Sequence, residues 1–203
     1  LEANKAKLAD TVRSIVERQK PHVICFSEVG GIGYTRDSGG RLVSLSLTKA
    51  QMETVIWVIK STWESLDPET LLLDSWKLNH PYLTVWNAKH VNCHTFSMKQ
   101  CYPDHQPYRT AQLFALETGT LKADAVNIWL ASSKRLKLTD AGRSCALNLL
   151  LNEHSAWNKD NRGNCRRIGD GPCIFGGDMN TSPEKINTIL GNLVDKKMLQ
   201  SNI

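Results

Sequence analysis

No apolar run in this sequence approaches the roughly 20 residues that a membrane-crossing helix needs, which excludes a helical span. No internal repeat and no low-complexity tract occurs, which sets aside solenoid and collagen-like architectures. Cysteine is too sparse for a disulfide scaffold, with six in 203 residues, and Cys25, Cys145 and Cys173 lie in apolar stretches that read as buried thiols. That usage favours a reducing, intracellular compartment. No C-x-x-C pair is present, so His90, Cys93, His94, Cys101 and His105 match no zinc spacing, and the adjacent Cys93 and His94 would face opposite sides of a strand. The glycine cluster Gly30-Gly31-Ile32-Gly33 lacks the Lys-Ser/Thr that completes a phosphate loop. No signal peptide is visible, and Leu1 stands where a start methionine would, so the expectation is a processed or partial chain.

What is present is globular. Apolar residues at 41% and charged residues at 22% can build a core, and residues 1–203 read as a single domain. The net charge of +5 is compatible with a polyanionic partner. Lys134, Arg135, Lys137, Arg162, Arg166 and Arg167 form basic stretches that suit either such a partner or a solvated surface.

Hydrophobic spacing sets the elements. Leu8, Val12, Ile15 and Val16 recur at helical intervals and predict an amphipathic helix over 4–19, ended by Pro21. Val23-Ile24-Cys25-Phe26 predicts a strand buried on both faces, followed by Ser27, Glu28 and a glycine-rich loop from Gly30 to Arg41. Thr48 and Gln51 form a capping-box pattern for a second helix, whose buried stripe is Met52, Val55, Ile56, Ile59 and Trp63. Asp67-Pro68 closes it. Strands are expected at Tyr82–Trp86, Val91–Met98, Arg109–Leu116 and Ala125–Leu130, the last two joined through Gly119. Thr139 or Asp140 caps a third helix reaching about Glu153, and Ser155–Gly171 reads as a polar loop. Several strands follow one another without helices between them. This order predicts an α+β chain with two packed sheets and outer helices rather than a doubly wound parallel sheet.

The most informative stretch is Gly176-Gly177-Asp178-Met179-Asn180-Thr181. It follows the short apolar run Cys173–Phe175, which reads as a buried strand with Ile174 and Phe175 inside, and precedes Ser182-Pro183, an N-cap with proline at the first helical position. Positions i and i+2 of an extended segment share a side, so Asp178 and Asn180 offer a carboxylate and a carboxamide together. The carboxylate can hold a hard cation or take a proton, and the carboxamide can donate to a phosphoryl oxygen. A polar turn before a helix also accounts for these residue types. Glu28, at the end of a buried strand, is either a rim residue or a ligand.

Taken together, the strand ending in Ser27-Glu28, the strand Val126-Asn127-Ile128-Trp129-Leu130 and the Gly177-Asp178-Met179-Asn180 motif resemble the endonuclease/exonuclease/phosphatase (DNase I-like) superfamily, over about residues 5–190. The resemblance implies a four-layer sandwich of two mixed sheets with helices outside. It implies hydrolysis of a phosphoester with Mg²⁺ or Mn²⁺, with Glu28 as metal ligand. Asp178 is implied as the residue that positions or deprotonates water, and Asn180 as the residue that binds the scissile phosphate. Arg109, heading a strand, has the fork for a bidentate phosphate contact or for a structural salt bridge. The family pattern is broken at Trp129, where many relatives carry His and where an indole cannot shuttle a proton. The family's opening strand and its closing Asp-His pair are also not found, so the chain reads as incomplete at both ends. Two functions follow as expectations. One is a divalent-metal phosphodiesterase, most simply a nuclease acting on nucleic acid. The other is a catalytically degenerate member of the same fold that serves as a binding or scaffold subunit with protein partners. An Asp-His pair beyond Ile203 would separate them.

Overall fold

The computed structural model describes residues 2–29, 33–40, 42–45, 47–78, 80–100, 110–130, 158–159, 165–166 and 172–195. The chain divides into two compact units, Leu1–Cys93 and His94–Ile203. Arg109, the expected helix from Thr139 or Asp140 to Glu153, Cys145, and Lys134, Arg135, Lys137, Arg162 and Arg167 lie outside the described residues.

In the first unit, α1 (Glu2–Gln19) and α2 (Lys49–Leu66) are the two long helices predicted from their apolar stripes. The capping box is formed as expected. Thr48 Oγ1 accepts from the Gln51 N–H at 3.2 Å, and Gln51 Oε1 accepts from the Thr48 N–H at 2.9 Å. Strands β1 (Val23–Phe26), β4 (Leu72–Trp76) and β5 (Leu83–Asn87) form an antiparallel sheet in the order β1-β5-β4. Val12, Val16, Ile24, Met52, Ile56, Ile59, Trp63, Leu72, Leu83 and Val85 make one buried cluster across helices and sheet. Each such side chain contributes on the order of 1.5–3 kcal/mol of transfer free energy.

Three expectations change here. β1 is not buried on both faces, because among the described residues it pairs only with β5. Its burial alternates, with Ile24 buried and Cys25 exposed, so Cys25 is not a core thiol. The segment read as a glycine-rich loop, Gly30 to Arg41, contains the strand β2 (Gly33–Arg36), which forms a hairpin with β3 (Leu42–Leu45) just beyond it. Its turn is the expected Asp37–Gly40 cluster. The Gly40 N–H donates to the Asp37 carbonyl at 2.9 Å, and Gly40 takes φ 79°. β4 follows a stretch where the helical period fades, and its five residues carry too short a pattern to read.

The second unit holds a mixed four-stranded sheet in the order β11-β8-β7-β6. β6 spans Asn92–Gln100, β7 Thr110–Thr118 and β8 Leu121–Trp129. β11 spans Cys173–Asp178, and the pieces β9 (Asn158–Lys159) and β10 (Cys165–Arg166) pair in what reads as a polar loop. β7 and β8 form an antiparallel hairpin closed by Gly119-Thr120, with Gly119 at φ 55°. β11 runs parallel to β8. The helix α3 (Pro183–Asp195) lays Ile186, Ile189 and Leu190 on the sheet face formed by Ala111, Leu113, Val126, Ile128 and Leu130. Phe175 and Cys173 of β11 pack on that same cluster, whereas Ile174, expected inside, points away and is exposed. Among the described residues, the two larger sheets and three helices give the predicted α+β class.

Candidate active site

The second unit places the Asp178–Asn180 motif at the carboxyl end of β11. In the parallel register Gly177 pairs with Ile128 and Asp178 with Trp129. Gly177 has φ 129°, and a Cβ built there would stand 1.9 Å from the Ile128 carbonyl oxygen. Glycine is required both for the backbone angle and for the close approach to β8. Gly176, its neighbour, meets nothing within 4 Å.

Asp178 and Asn180 do come together, though by a different route from strand alternation. The chain leaves β11 at Met179, and Asn180 turns to φ 49°, a left-handed conformation that asparagine tolerates. The Asn180 N–H then donates to Asp178 Oδ1 at 2.8 Å. Asn180 Nδ2 donates to Asp178 Oδ2 at 3.0 Å and to the Leu130 carbonyl at 2.7 Å. The Leu130 N–H in turn donates to the Asp178 carbonyl at 2.8 Å. The end of β8 is thus tied to the Asp178–Asn180 turn by two bonds from opposite ends of the motif. Half-buried Met179 packs into the core below, and the Asp178 carboxylate stands exposed. Ser182 caps α3 as predicted, its Oγ accepting from the Lys185 N–H at 3.4 Å.

One group of this arrangement escapes sequence reasoning, because the Leu130 carbonyl is a backbone group and carries no side-chain signature. The glycines of the motif suit a close backbone approach or a positive φ, and Gly177 makes both.

Glu28 belongs to the first unit. It follows β1, is exposed, and takes φ 61°. A glutamate held left-handed is a costly choice, and such outliers gather where a side chain must be aimed. The loop is fixed by the Val29 N–H donating to the Pro81 carbonyl at 3.0 Å. Among the described residues no three His, Cys, Asp or Glu side chains converge as a ready metal cage. Thiol chemistry is also disfavoured. Burial pushes the Cys93 and Cys173 thiols up to about 12, with the charges of Cys25 and Asp124 respectively adding to the effect.

No family model and no curated protein sequence matches the chain. Solved structures do. It is similar to an endonuclease/exonuclease/phosphatase family protein from Leptotrichia buccalis, with TM-score 0.56 and 14% identity, covering 97% of this chain and 68% of that one. It is similar to D. rerio TDP2 complexed with single strand DNA product, with TM-score 0.52 and 14% identity, covering 92% of this chain and 58% of that one. It is similar to ANGEL2, a 2',3'-cyclic phosphatase, with TM-score 0.52 and 14% identity, covering 86% of this chain and 43% of that one. The chain spans at most 60% of the D. rerio TDP2 chains it matches. At this identity the likeness is one of fold, and the fold is that of the endonuclease/exonuclease/phosphatase, DNase I-like, proteins. No described helix is long and apolar enough to cross a membrane.

Proposed function

We propose that this chain, which carries the endonuclease/exonuclease/phosphatase fold, belongs to a divalent-metal-dependent phosphodiesterase and that its substrate is a nucleic acid. The observation that carries this reading is the Asp178–Asn180 pair, an exposed carboxylate held by two hydrogen bonds from Asn180 at the end of a strand. Rigid placement of an acid beside a carboxamide suits water activation next to a phosphoryl group.

The donor set fits a hard cation. Glu28 offers only oxygen, and Mg²⁺ or Mn²⁺ is held in proteins through one or two carboxylates with waters completing the shell. Glu28, exposed and aimed by its left-handed backbone, would hold it. Such a cation, when bound, would supply neutralisation of charge growing on the phosphoryl oxygens.

The remaining work falls to the chain itself. Asp178 orients a water and takes its proton at a carboxylate oxygen. Both amide hydrogens of Asn180 are engaged, one on Leu130 and one on Asp178. To donate to a phosphoryl oxygen, Asn180 exchanges its exposed bond to Asp178 Oδ2 and keeps the part-buried one to Leu130. The same exchange releases Oδ2 for the water, so phosphate binding and water activation are coupled through one side chain. Arg109, just before β7, adds a bidentate phosphate contact. The net charge of +5 and the fold's occurrence in a protein solved with single strand DNA product support a nucleic-acid substrate.

One observation favours the scaffold alternative. Trp129 stands in register with Asp178, and an indole supplies neither acid nor base. Two measurements on the complete gene product decide the matter. Single-stranded DNA and a simple phosphodiester should be hydrolysed in a Mg²⁺-dependent manner, and Glu28→Gln should weaken Mg²⁺ binding in calorimetric titration. No hydrolysis of either substrate would leave the scaffold role standing, and unchanged Mg²⁺ affinity would remove Glu28 as a ligand.

A further inference from the structure

The first unit has a cavity that phosphodiester chemistry does not use. α1 and α2 lie side by side and run in the same direction. The first turns of both line one cavity, through Lys5 and Leu8 of α1 and Gln51 and Val55 of α2. The last turns of both line another, through Glu17 of α1 and Trp63 of α2, together with Asp67 just beyond it. This second cavity has a volume of about 560 Å³, within the size range of small-molecule sites. It lies at the His22 end of β1, whereas Glu28 follows the other end of that strand.

Negative groups outnumber lysine and arginine in its walls. Two 18-residue helices end here, each leaving last-turn carbonyls that carry the negative end of the helix dipole. Glu17 and Asp67 add two carboxylates, and neither makes an ion pair among the described residues. Lys20 is the one basic lysine or arginine among the lining residues. The rest of the wall is apolar at Val16, Pro21 and Leu66, with the almost wholly buried Trp63 behind them. The exposed rings of His22 and His90 stack at 4.6 Å between centroids with 23° between planes. Asn87 completes it, fixed by its N–H to the His22 carbonyl at 2.8 Å. In a chain whose net charge is +5, this recess sets two carboxylates against one lysine beside a pair of imidazole rings.

We propose that this cavity binds an organic cation, an alkylammonium or a guanidinium group. Carboxylates and helix carboxyl ends attract the charge, and aromatic faces accept a weakly hydrated planar or alkyl cation better than a small metal ion. A metal ion is disfavoured because no three ligating side chains converge among the described residues. The cation can be a free small molecule or an arginine or lysine side chain of a partner protein.

Titration of the complete gene product, followed by NMR of the His22 and His90 ring signals, tests this. Agmatine serves as the free cation, a short peptide with one central arginine and blocked ends as the side-chain source, and acetate as the anionic control. Saturable shifts with agmatine or the peptide, and none with acetate, are expected, and the tighter of the two identifies the source. Glu17→Gln/Asp67→Asn, which changes two exposed side chains, should weaken binding by roughly tenfold, with an unchanged circular dichroism spectrum showing that the fold is kept. Non-saturable shifts with both cations, or equal affinity of the double variant and the parent, would overturn the proposal.

Discussion

At the scale of single residues, two backbone angles separate aiming from chemistry. Glu28 and Asn180 both stand at positive φ, at 61° and 49°. For Glu28, glycine at the same position relieves the left-handed strain. Glu28→Gly should therefore raise the stability in urea by up to about 1 kcal/mol while Mg²⁺ affinity falls. A drop in stability instead would mean that the side chain is held by structural contacts rather than aimed at a ligand. For Asn180, alanine and glycine differ in an informative way. Both remove the amide, which as a donor to the phosphoryl oxygen is worth about 3 kcal/mol at the transition state. Only alanine adds backbone strain, about 1 kcal/mol. Hydrolysis should thus fall by a similar factor in Asn180→Gly and Asn180→Ala, and denaturation should show alanine as the less stable of the two. A glycine variant with parental turnover would show that the amide holds the turn and does not act on substrate. The pairing of Asp178 with Asn180 was legible because the two residues and their spacing are written in the sequence. The φ of Glu28 was not, because it depends on how Val29 is tied to Pro81.

At the scale of elements, the β8–β11 pair carries the site. The Cβ that would meet the Ile128 carbonyl makes Gly177→Ala a strong test of that pairing. The variant must push β11 from β8 or strain its φ, and a loss of at least about 2 kcal/mol is expected from urea unfolding. A change below about 0.5 kcal/mol would show that the two strands do not approach as closely as the register requires. Helices were the most readable elements, since eighteen residues repeat their apolar stripe several times. Short strands were less so. The stretch from Gly30 to Arg41 looks like a loop because glycine and turn residues dominate it, yet Gly33–Arg36 within it pairs with Leu42–Leu45 as a hairpin. Ile174 and Cys25 were expected inside because a short apolar run does not reveal whether a strand is central or at an edge. Both lie on strands that pair on one side only among the described residues, and both are exposed.

At the scale of the whole molecule, the fold is recognisable at 14% identity because the path of strands and helices survives when side chains do not. Function is carried by few residues, and a fold shared with a phosphatase and with a protein that yields a DNA product does not choose among substrates. The Asp178–Asn180 motif stands at the carboxyl end of β11. The central claim is that Asp178 activates water there. It is tested most directly by comparing Mg²⁺-dependent phosphodiester hydrolysis, at saturating substrate, between the complete gene product and its Asp178→Asn variant. Asparagine keeps the shape and loses the base. Turnover should fall by about 10²–10⁴-fold, with phosphate binding kept within about twofold. Equal turnover in the two proteins would contradict the account.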